Sequence, residues 1–121
     1  MKIENIKFKA KRLDGKGWVI GDLLHSYENG AIIVPIEGGG AFSVYPSTVC
    51  QFTGLKDSKG NEIWEGDIAE CETYDLYKGF IKVKAIIEYM YGAFVAIIDG
   101  MPYSLYFKYI KVIGNKFDKD K

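Results

Sequence analysis

The stretch Ile86-Ile87-Glu88-Tyr89-Met90-Tyr91-Gly92-Ala93-Phe94-Val95-Ala96-Ile97-Ile98 decides the fold class. Two runs of branched and aromatic side chains, 86–90 and 93–98, flank the dipeptide Tyr91-Gly92. Such runs favour β-strands, and a glycine in a two-residue connection supplies the positive φ that a tight hairpin turn requires. The stretch therefore predicts an antiparallel β-hairpin.

The rest of the chain repeats this pattern of short strand candidates separated by turns. The segments with period-two spacing or β-branched composition are 6–10, 18–20, 31–36, 43–45, 68–71, 81–85 and 109–114. Only 21–26, 74–78 and 104–109 offer short helical turns, because no segment repeats apolar residues at helical spacing over more than two turns. The sequence predicts a mainly β fold in a single small domain of seven to nine strands. Its architecture is antiparallel, either barrel-like or two-sheet, with one or two short helical turns.

The composition fits one domain over residues 1–121, with 116–121 as a frayed tail. The chain is 48% hydrophobic, which is enough for a core, and its 16 basic and 16 acidic residues cancel. A neutral chain gives no electrostatic argument for binding duplex nucleic acid or an anionic membrane. Cys50 and Cys71 lie far apart and outside any C-x-x-C pattern, which predicts reduced thiols in a cytoplasmic protein.

The sequence contains no group of residues at the spacing that a metal or cofactor site requires. His25 is the only histidine and has no partner ligand at metal-binding spacing. The segment 57–62 resembles a calcium loop, but Lys59 stands where an oxygen ligand is needed. A Cys50 nucleophile with His25 as its base stays open beside the commoner alternative, a buried structural cysteine. We therefore expect no metal and no cofactor.

Acidic residues concentrate between residues 56 and 75, a segment that contains seven acidic residues and two lysines. Among them, Glu65 and Asp67 could act as a catalytic pair in a hydrolase if burial raised the pKa of one carboxyl. The alternative is a solvated turn followed by the outward face of a strand. Nothing in the sequence selects the catalytic reading.

Basic residues concentrate at the two ends of the chain. Residues 1–16 hold six basic and two acidic side chains, and residues 106–121 hold five and two. If the terminal strands pair with each other, they form a basic edge, which would include Lys7, Lys9, Lys11 and Lys111. Such an edge could steer a protein partner, support self-association, or hold a nucleic-acid strand with tyrosines as stacking platforms. Lysines on edge strands also prevent aggregation.

The segment 51–68 is the most distinctive in the chain and contains three predicted turns. Asp57 and Gly60 predict a turn over 57–61, and Thr53-Gly54 and 65–67 predict two more. We expect Leu55, Ile63 and Ile68 to anchor its flanks in the core. The polar members of the segment are either architectural or form a binding site. That site would consist of Gln51, Thr53, Asp57, Glu65 and Asp67.

The same segment carries a family resemblance. Residues 51–68, QFTGLKDSKGNEIWEGDI, resemble the YopX signature Q-[YF]-T-G-L-x-D-x-x-G-x-x-[IV]-[YFW]-E-G-D-[IV]. Residues 110–115, IKVIGN, look like the closing V-I-G-N strand of that family, and residues 7–10, KFKA, are similar to its opening. The resemblance implies a mainly β fold and an origin in a bacteriophage or prophage, hence a bacterial cytoplasm. It implies no enzymatic activity.

These observations lead to one functional hypothesis with two alternatives. The leading hypothesis is a non-enzymatic phage accessory protein that binds a protein partner or forms a homo-oligomer, with no membrane involved. The first alternative is a small-barrel nucleic-acid-binding protein, and the weaker alternative is a carboxylate-dependent hydrolase.

Overall fold

The computed structural model describes residues 1–118 and contains eleven strands and three single 3-10 turns. The first six strands are β1 (Phe8–Lys11), β2 (Trp18–His25), β3 (Ala31–Val34), β4 (Phe42–Val44), β5 (Cys50–Lys56) and β6 (Glu62–Trp64). The remaining five are β7 (Asp67–Asp75), β8 (Gly79–Met90), β9 (Ala93–Ile98), β10 (Met101–Ser104) and β11 (Ile110–Asn115). The 3-10 turns cover Ile3–Asn5, Tyr27–Asn29 and Pro46–Thr48. No helix within residues 1–118 is long and apolar enough to cross a membrane.

The chain divides into two compact units, Met1–Phe52 and Thr53–Lys121. In the first unit the strands lie in the antiparallel order β4-β3-β2-β1, and β1 pairs on its other side with the start of β5. Alternation along β1 places Ala10 in a core with Ile33 and Val44, and all three side chains are buried. The lysines of β1 alternate with these core positions and therefore lie on the opposite face.

The second unit contains the end of β5 beside β6, together with a five-stranded antiparallel sheet of order β10-β9-β8-β7-β11. One face of this sheet is built from small and branched side chains. Seven residues of the sheet and Ile63 of β6 form the buried core on this face: Ala69, Cys71, Ala85, Ile87, Ala96, Ile98 and Ile110, with Ile63. Small residues at the sheet centre let β6 and the segment before β11 pack closely against it, where Leu105 and Phe107 complete the core.

The predicted hairpin is confirmed. Met90 pairs with Ala93, and the connecting residues Tyr91 and Gly92 have φ values of 53° and 85°. Two successive positive φ values match the right-handed twist of the flanking strands. The two-sheet alternative is the observed one, because each sheet retains two edge strands over residues 1–118 and neither closes into a barrel.

Several sequence-based expectations for the local fold are wrong. The structure has eleven strands rather than the predicted seven to nine, and neither 74–78 nor 104–109 forms a helical turn. Residues 21–26 form no helical turn, because 21–25 belong to β2 and pair with β1 and β3. Thr53-Gly54 is not a turn: both residues lie within β5, where Gly54 has a φ of 86°. Leu55 does not anchor the core, since 47% of it is exposed.

The two terminal strands do not pair with each other within residues 1–118, so the condition for a shared basic edge is not met. β1 lies between β2 and β5, whereas β11 is an edge strand that pairs with β7. Lys116, the first residue of the predicted frayed tail 116–121, is held in place. It donates its backbone N–H to Gly66 O at 2.9 Å, and its ammonium group lies 3.2 Å from Glu88 Oε2. Residues 119–121 lie outside the described part of the chain.

Candidate functional site

The segment 51–68 runs through β5, a turn, β6 and a second turn into β7. The turn over 57–61 is confirmed: Asp57 N–H donates to Asn61 O at 2.7 Å, and Gly60 N–H donates to Asp57 O at 3.0 Å. Gly60 has a φ of 87°, as this turn requires. The side chain of Thr53 joins β5 to β6 by donating its hydroxyl to Ile63 O at 2.7 Å. The segment is therefore closely hydrogen-bonded within the second unit from Thr53 onwards.

Asp57 is buried, with 7% of the residue exposed. Its Oδ1 accepts the backbone N–H groups of Lys59 at 2.9 Å and Asn61 at 2.8 Å. Its Oδ2 accepts the backbone N–H of Val112 at 2.9 Å, a residue 55 positions away in β11. Burial is the largest influence on this carboxyl and opposes its ionisation, but the hydrogen bonds from Val112, Asn61 and Lys59 together outweigh it and lower the pKa of Asp57. The carboxylate is therefore ionised at neutral pH and fully occupied as an acceptor.

Asp67 is more deeply buried, with 2% exposed. Its Oδ2 accepts the backbone N–H of Trp64 at 2.8 Å, and its Oδ1 accepts the side-chain amide of Asn115 at 3.0 Å. The Oδ1 of Asn115 in turn accepts the backbone N–H of Phe117 at 2.9 Å. Asp67 therefore closes the turn before β7 and holds the end of β11.

Two further contacts attach β11 to the same segment. Ser58 N–H donates to Ile110 O at 2.8 Å, and Ile110 N–H donates to Ser58 Oγ at 3.0 Å. These bonds satisfy the backbone of β11 along the edge that faces away from β7. The segment 57–67 thus acts as the lateral partner of β11, with side chains in place of a neighbouring strand.

The five predicted binding residues are placed as follows. Asp57 and Asp67 bind β11 at Val112 and Asn115, three positions apart, and Thr53 joins β5 to β6. Gln51 lies half-buried on β5, and Glu65 lies half-buried in the turn before β7. Three of the five side chains therefore hold structural elements together.

The four lysines of the predicted basic edge lie at two different strands. Just before β1, the ammonium group of Lys7 lies 4.8 Å from the ring centroid of Phe52. On β1, those of Lys9 and Lys11 lie 4.6 and 4.9 Å from the ring of Trp18. Lys111 lies on β11 opposite Glu70 of β7. Lys7, Lys9 and Lys11 are half-buried at an interior strand, where they cover aromatic rings with their charges and aliphatic stems.

The segments 51–68 and 110–115 carry the resemblance to a known family. The model of the YopX protein family matches residues 7–120. The chain belongs to the YopX family. The two YopX motifs named from the sequence, 51–68 and 110–115, are thus the two partners of one hydrogen-bonded arrangement within the second unit. No curated protein matches the chain.

Both cysteines of this YopX protein are buried thiols that form no disulfide. Burial, reinforced by the charge of Glu70, raises the pKa of the Cys71 thiol to about 11. Cys50 directs its Sγ to Thr48 O at 3.3 Å. The thiol of Cys71 stays protonated at neutral pH, which is the state of a structural cysteine rather than of a nucleophile.

The outer part of the β7–β8 hairpin forms a surface feature that the strand and turn patterns of the sequence did not predict. Its residues 72–75 and 79–82 pair with one another, while β11 and β9 pair only with the inner parts of these strands. At the end of the hairpin, the rings of Tyr74 and Phe80 meet edge to face with centroids 5.3 Å apart. Leu76 is 85% exposed and Tyr77 is 95% exposed. We call Tyr74, Leu76, Tyr77 and Phe80 the hairpin tip.

The hairpin tip is held in shape by its own turn. Asp75 Oδ1 accepts the backbone N–H groups of Tyr77 at 2.8 Å and Lys78 at 3.0 Å, and Gly79 has a φ of 79°. The sequence holds a signal for this turn, because an aspartate side chain commonly accepts the backbone N–H two residues on and glycine readily adopts a positive φ. The sequence predicts strands at 68–71 and 81–85, but not their continuation into the outer pairs 72–75 and 79–82.

Proposed function

We propose that this YopX protein is a phage- or prophage-encoded accessory protein of the bacterial cytoplasm that acts by binding protein, not by catalysis. The observation that carries this proposal is the hairpin tip, where four large apolar side chains are each more than 60% exposed on a turn fixed by Asp75. Aromatic side chains on a preformed turn bury large areas at low entropic cost, which suits them to protein interfaces.

The state of the motif carboxylates supports binding over catalysis. Asp57 and Asp67, the acids at the centre of the YopX signature, use their oxygens as acceptors for groups of the turn and of β11. A general acid at neutral pH needs a raised pKa, whereas the pKa of Asp57 is lowered. Their chemistry is that of structural anchors.

The partner can be a second copy of the chain or another protein, and one pair of variants separates these cases. Leu76→Ser/Tyr77→Ser removes the two most exposed tip side chains without altering the Asp75 hydrogen bonds. Tyr27→Ser is the matched control, because Tyr27 is equally exposed at 95% and lies in the first unit. Mass is measured by light scattering after size exclusion at low and high salt, with absorbance at 260 nm recorded.

A defined oligomer that the tip variant alone dissociates would show self-association through the tip. A monomer directs the test to a heterologous partner: a photo-crosslinking amino acid is placed at position 77 or 27 and activated in the bacterial host. The expected result is a discrete crosslinked species from position 77 and none from position 27. A monomer that gives no crosslink specific to position 77 would refute the proposal.

A further inference from the structure

Strand β8 is longer than the strands beside it. It spans twelve residues, and β7 pairs with it from Gly79 to Ile86. On its other side β9 pairs only with residues 86–90. Within residues 1–118, no strand pairs with residues 79–85 of β8 on the β9 side. We call this segment the open β8 edge.

The hydrogen-bonding direction of each residue at this edge follows from the ladder. Glu72 donates its backbone N–H to Tyr109 O at 3.1 Å, so it points toward β11. Backbone groups alternate in direction along a strand, so Cys71 and Thr73 point toward β8 and bond their partners Val83 and Ile81. The even-numbered residues of β8 consequently direct their N–H and C=O groups away from β7. At the open β8 edge these residues are Phe80, Lys82 and Lys84.

The side chains of these three residues lie on one face and continue rows that cross the sheet. Lys111, Glu70 and Lys84 are successive cross-strand partners, giving alternating charges over β11, β7 and β8. The second row pairs Glu72 with Lys82, and the third pairs Tyr74 with Phe80. All three β8 side chains are exposed. On β8, two of these rows therefore end in a lysine and one in an aromatic ring. The ammonium group of Lys82 lies 4.6 Å from the ring centroid of Tyr109, so it would have to leave that ring to meet an added strand.

We propose that the open β8 edge binds an extended segment of another protein as an added antiparallel strand, with acidic side chains facing Lys84 and Lys82 and an aromatic side chain facing Phe80. Added strands gain affinity from backbone hydrogen bonds and specificity from alternate side chains. The acids would extend both charged rows with the favourable sign, and apolar residues between them would face the half-buried Ile81 and Val83. This inference rests on the proposed binding function and names the chemistry of its partner.

The same charges disfavour a second copy at this edge. Symmetric antiparallel pairing of two β8 edges centred on Lys82 places Lys82 opposite itself. Centring the pair on Val83 places Lys82 opposite Lys84. Like charges directly opposite one another are destabilising, so the edge selects an acidic heterologous strand.

The test uses a synthetic peptide, Thr-Glu-Val-Glu-Val-Tyr-Thr, whose two glutamates face Lys84 and Lys82 in antiparallel register. A second peptide carries N-methyl groups on both glutamate amides, and a third carries lysine in place of glutamate. N-methylation leaves the charge unchanged but removes the amide donors that an added strand needs. Binding is followed by fluorescence anisotropy and by amide exchange of the isotope-labelled protein.

The expected result is slower exchange of the Phe80, Lys82 and Lys84 amides with the first peptide only. Lys82→Gln/Lys84→Gln should weaken its binding about threefold to tenfold through loss of two charge pairs. The control Lys56→Gln/Lys59→Gln, exposed lysines of the same unit, should leave it unchanged. Equal binding of the N-methylated peptide, or unchanged exchange at these three amides, would overturn the proposal. If position 77 nevertheless crosslinks a partner, only the β8 inference fails and the binding function stands.

Discussion

The groups around a buried carboxylate decide whether it acts as a catalytic acid or as a structural hydrogen-bond acceptor. Asp57 and Asp67 lie among seven acids that could have suggested hydrolytic chemistry, but each accepts backbone or amide N–H groups and each binds β11. Hydrogen bonds to the charged form favour it, so such a group contributes to stability where it is ionised. The cost of removing it is therefore expected to depend on pH.

Asp57→Asn tests this expectation. The variant keeps the shape of the side chain but puts an amide where the Val112, Asn61 and Lys59 N–H groups need an acceptor. We expect a loss of about 2–3 kcal/mol in the free energy of unfolding at pH 7, measured by urea denaturation.

The sign of the pH effect follows from the lowered pKa. The folded-state pKa of Asp57 lies below its ordinary value of 3.8, so its contribution is complete above that value and is lost as pH falls through the folded-state pKa. The difference between wild type and Asp57→Asn should therefore shrink from pH 7 to pH 3. Asp99→Asn, at an exposed turn, is the control and should show little difference at either pH. A difference for Asp57→Asn that is constant over this range would contradict the assignment.

At the scale of elements, β2 continues through 21–25, where a helical turn was predicted, because these residues pair with β1 and β3. The backbone at the end of β3 comes close to Gly21 there. Gly21 lies in β2, and a Cβ atom there would come within 2.6 Å of the Val34 carbonyl carbon and 2.7 Å of Pro35 Cα. The absence of a side chain lets the end of β3 cross this position. Gly114 in β11 also lacks a positive φ but has no heavy atom within 4 Å of the corresponding Cβ.

These two glycines form a matched pair for mutation. We expect Gly21→Ala to reduce the free energy of unfolding by about 1–3 kcal/mol, because backbone atoms must shift to admit the methyl group. Gly114→Ala should change it by less than about 0.5 kcal/mol, since the methyl group enters open space. Chemical denaturation of both variants under the same conditions measures the difference. Equal effects would mean that the approach of Val34 to Gly21 is not a constraint.

At the scale of the whole molecule, charge balance and lysine placement argue against a nucleic-acid function. The formal net charge is zero, and the lysines at β1 cover the rings of Phe52 and Trp18. Nucleic-acid binding without excess positive charge lacks its main source of affinity. The predicted basic edge required β1 and β11 to be neighbours. The observed strand pairings put these two strands in different sheets.

We therefore expect no binding of a labelled oligothymidine at about 50 mM salt in a fluorescence anisotropy titration. The matched variant is Lys7→Glu/Lys9→Glu/Lys11→Glu, which should behave like the wild type. Binding that weakens steeply with salt and disappears in the variant would instead support the nucleic-acid alternative.

The sequence by itself determined those features that depend on near neighbours along the chain. Alternating side chains marked most strands, Tyr91-Gly92 marked the β8–β9 hairpin, and Asp57 with Gly60 marked the turn over 57–61. Backbone φ preferences and the two-residue period of a strand act over a few residues, so they can be recognised locally. The YopX family was recognisable for a similar reason, because its signature is one continuous stretch, 51–68, that includes the turn residues Asp57 and Gly60.

Only the tertiary structure decided which strands are neighbours and what the polar side chains bind. The bond from Val112 to Asp57 joins residues 55 positions apart, and the open β8 edge exists because β9 ends before β8 does. Strand order and register follow from the burial of whole faces and the satisfaction of backbone groups across the sheet, which local spacing does not specify. Consequently the β-strands of the YopX fold and an architectural role for its motif acids could be anticipated, whereas the partners of those acids in β11 and the exposed hairpin tip could not.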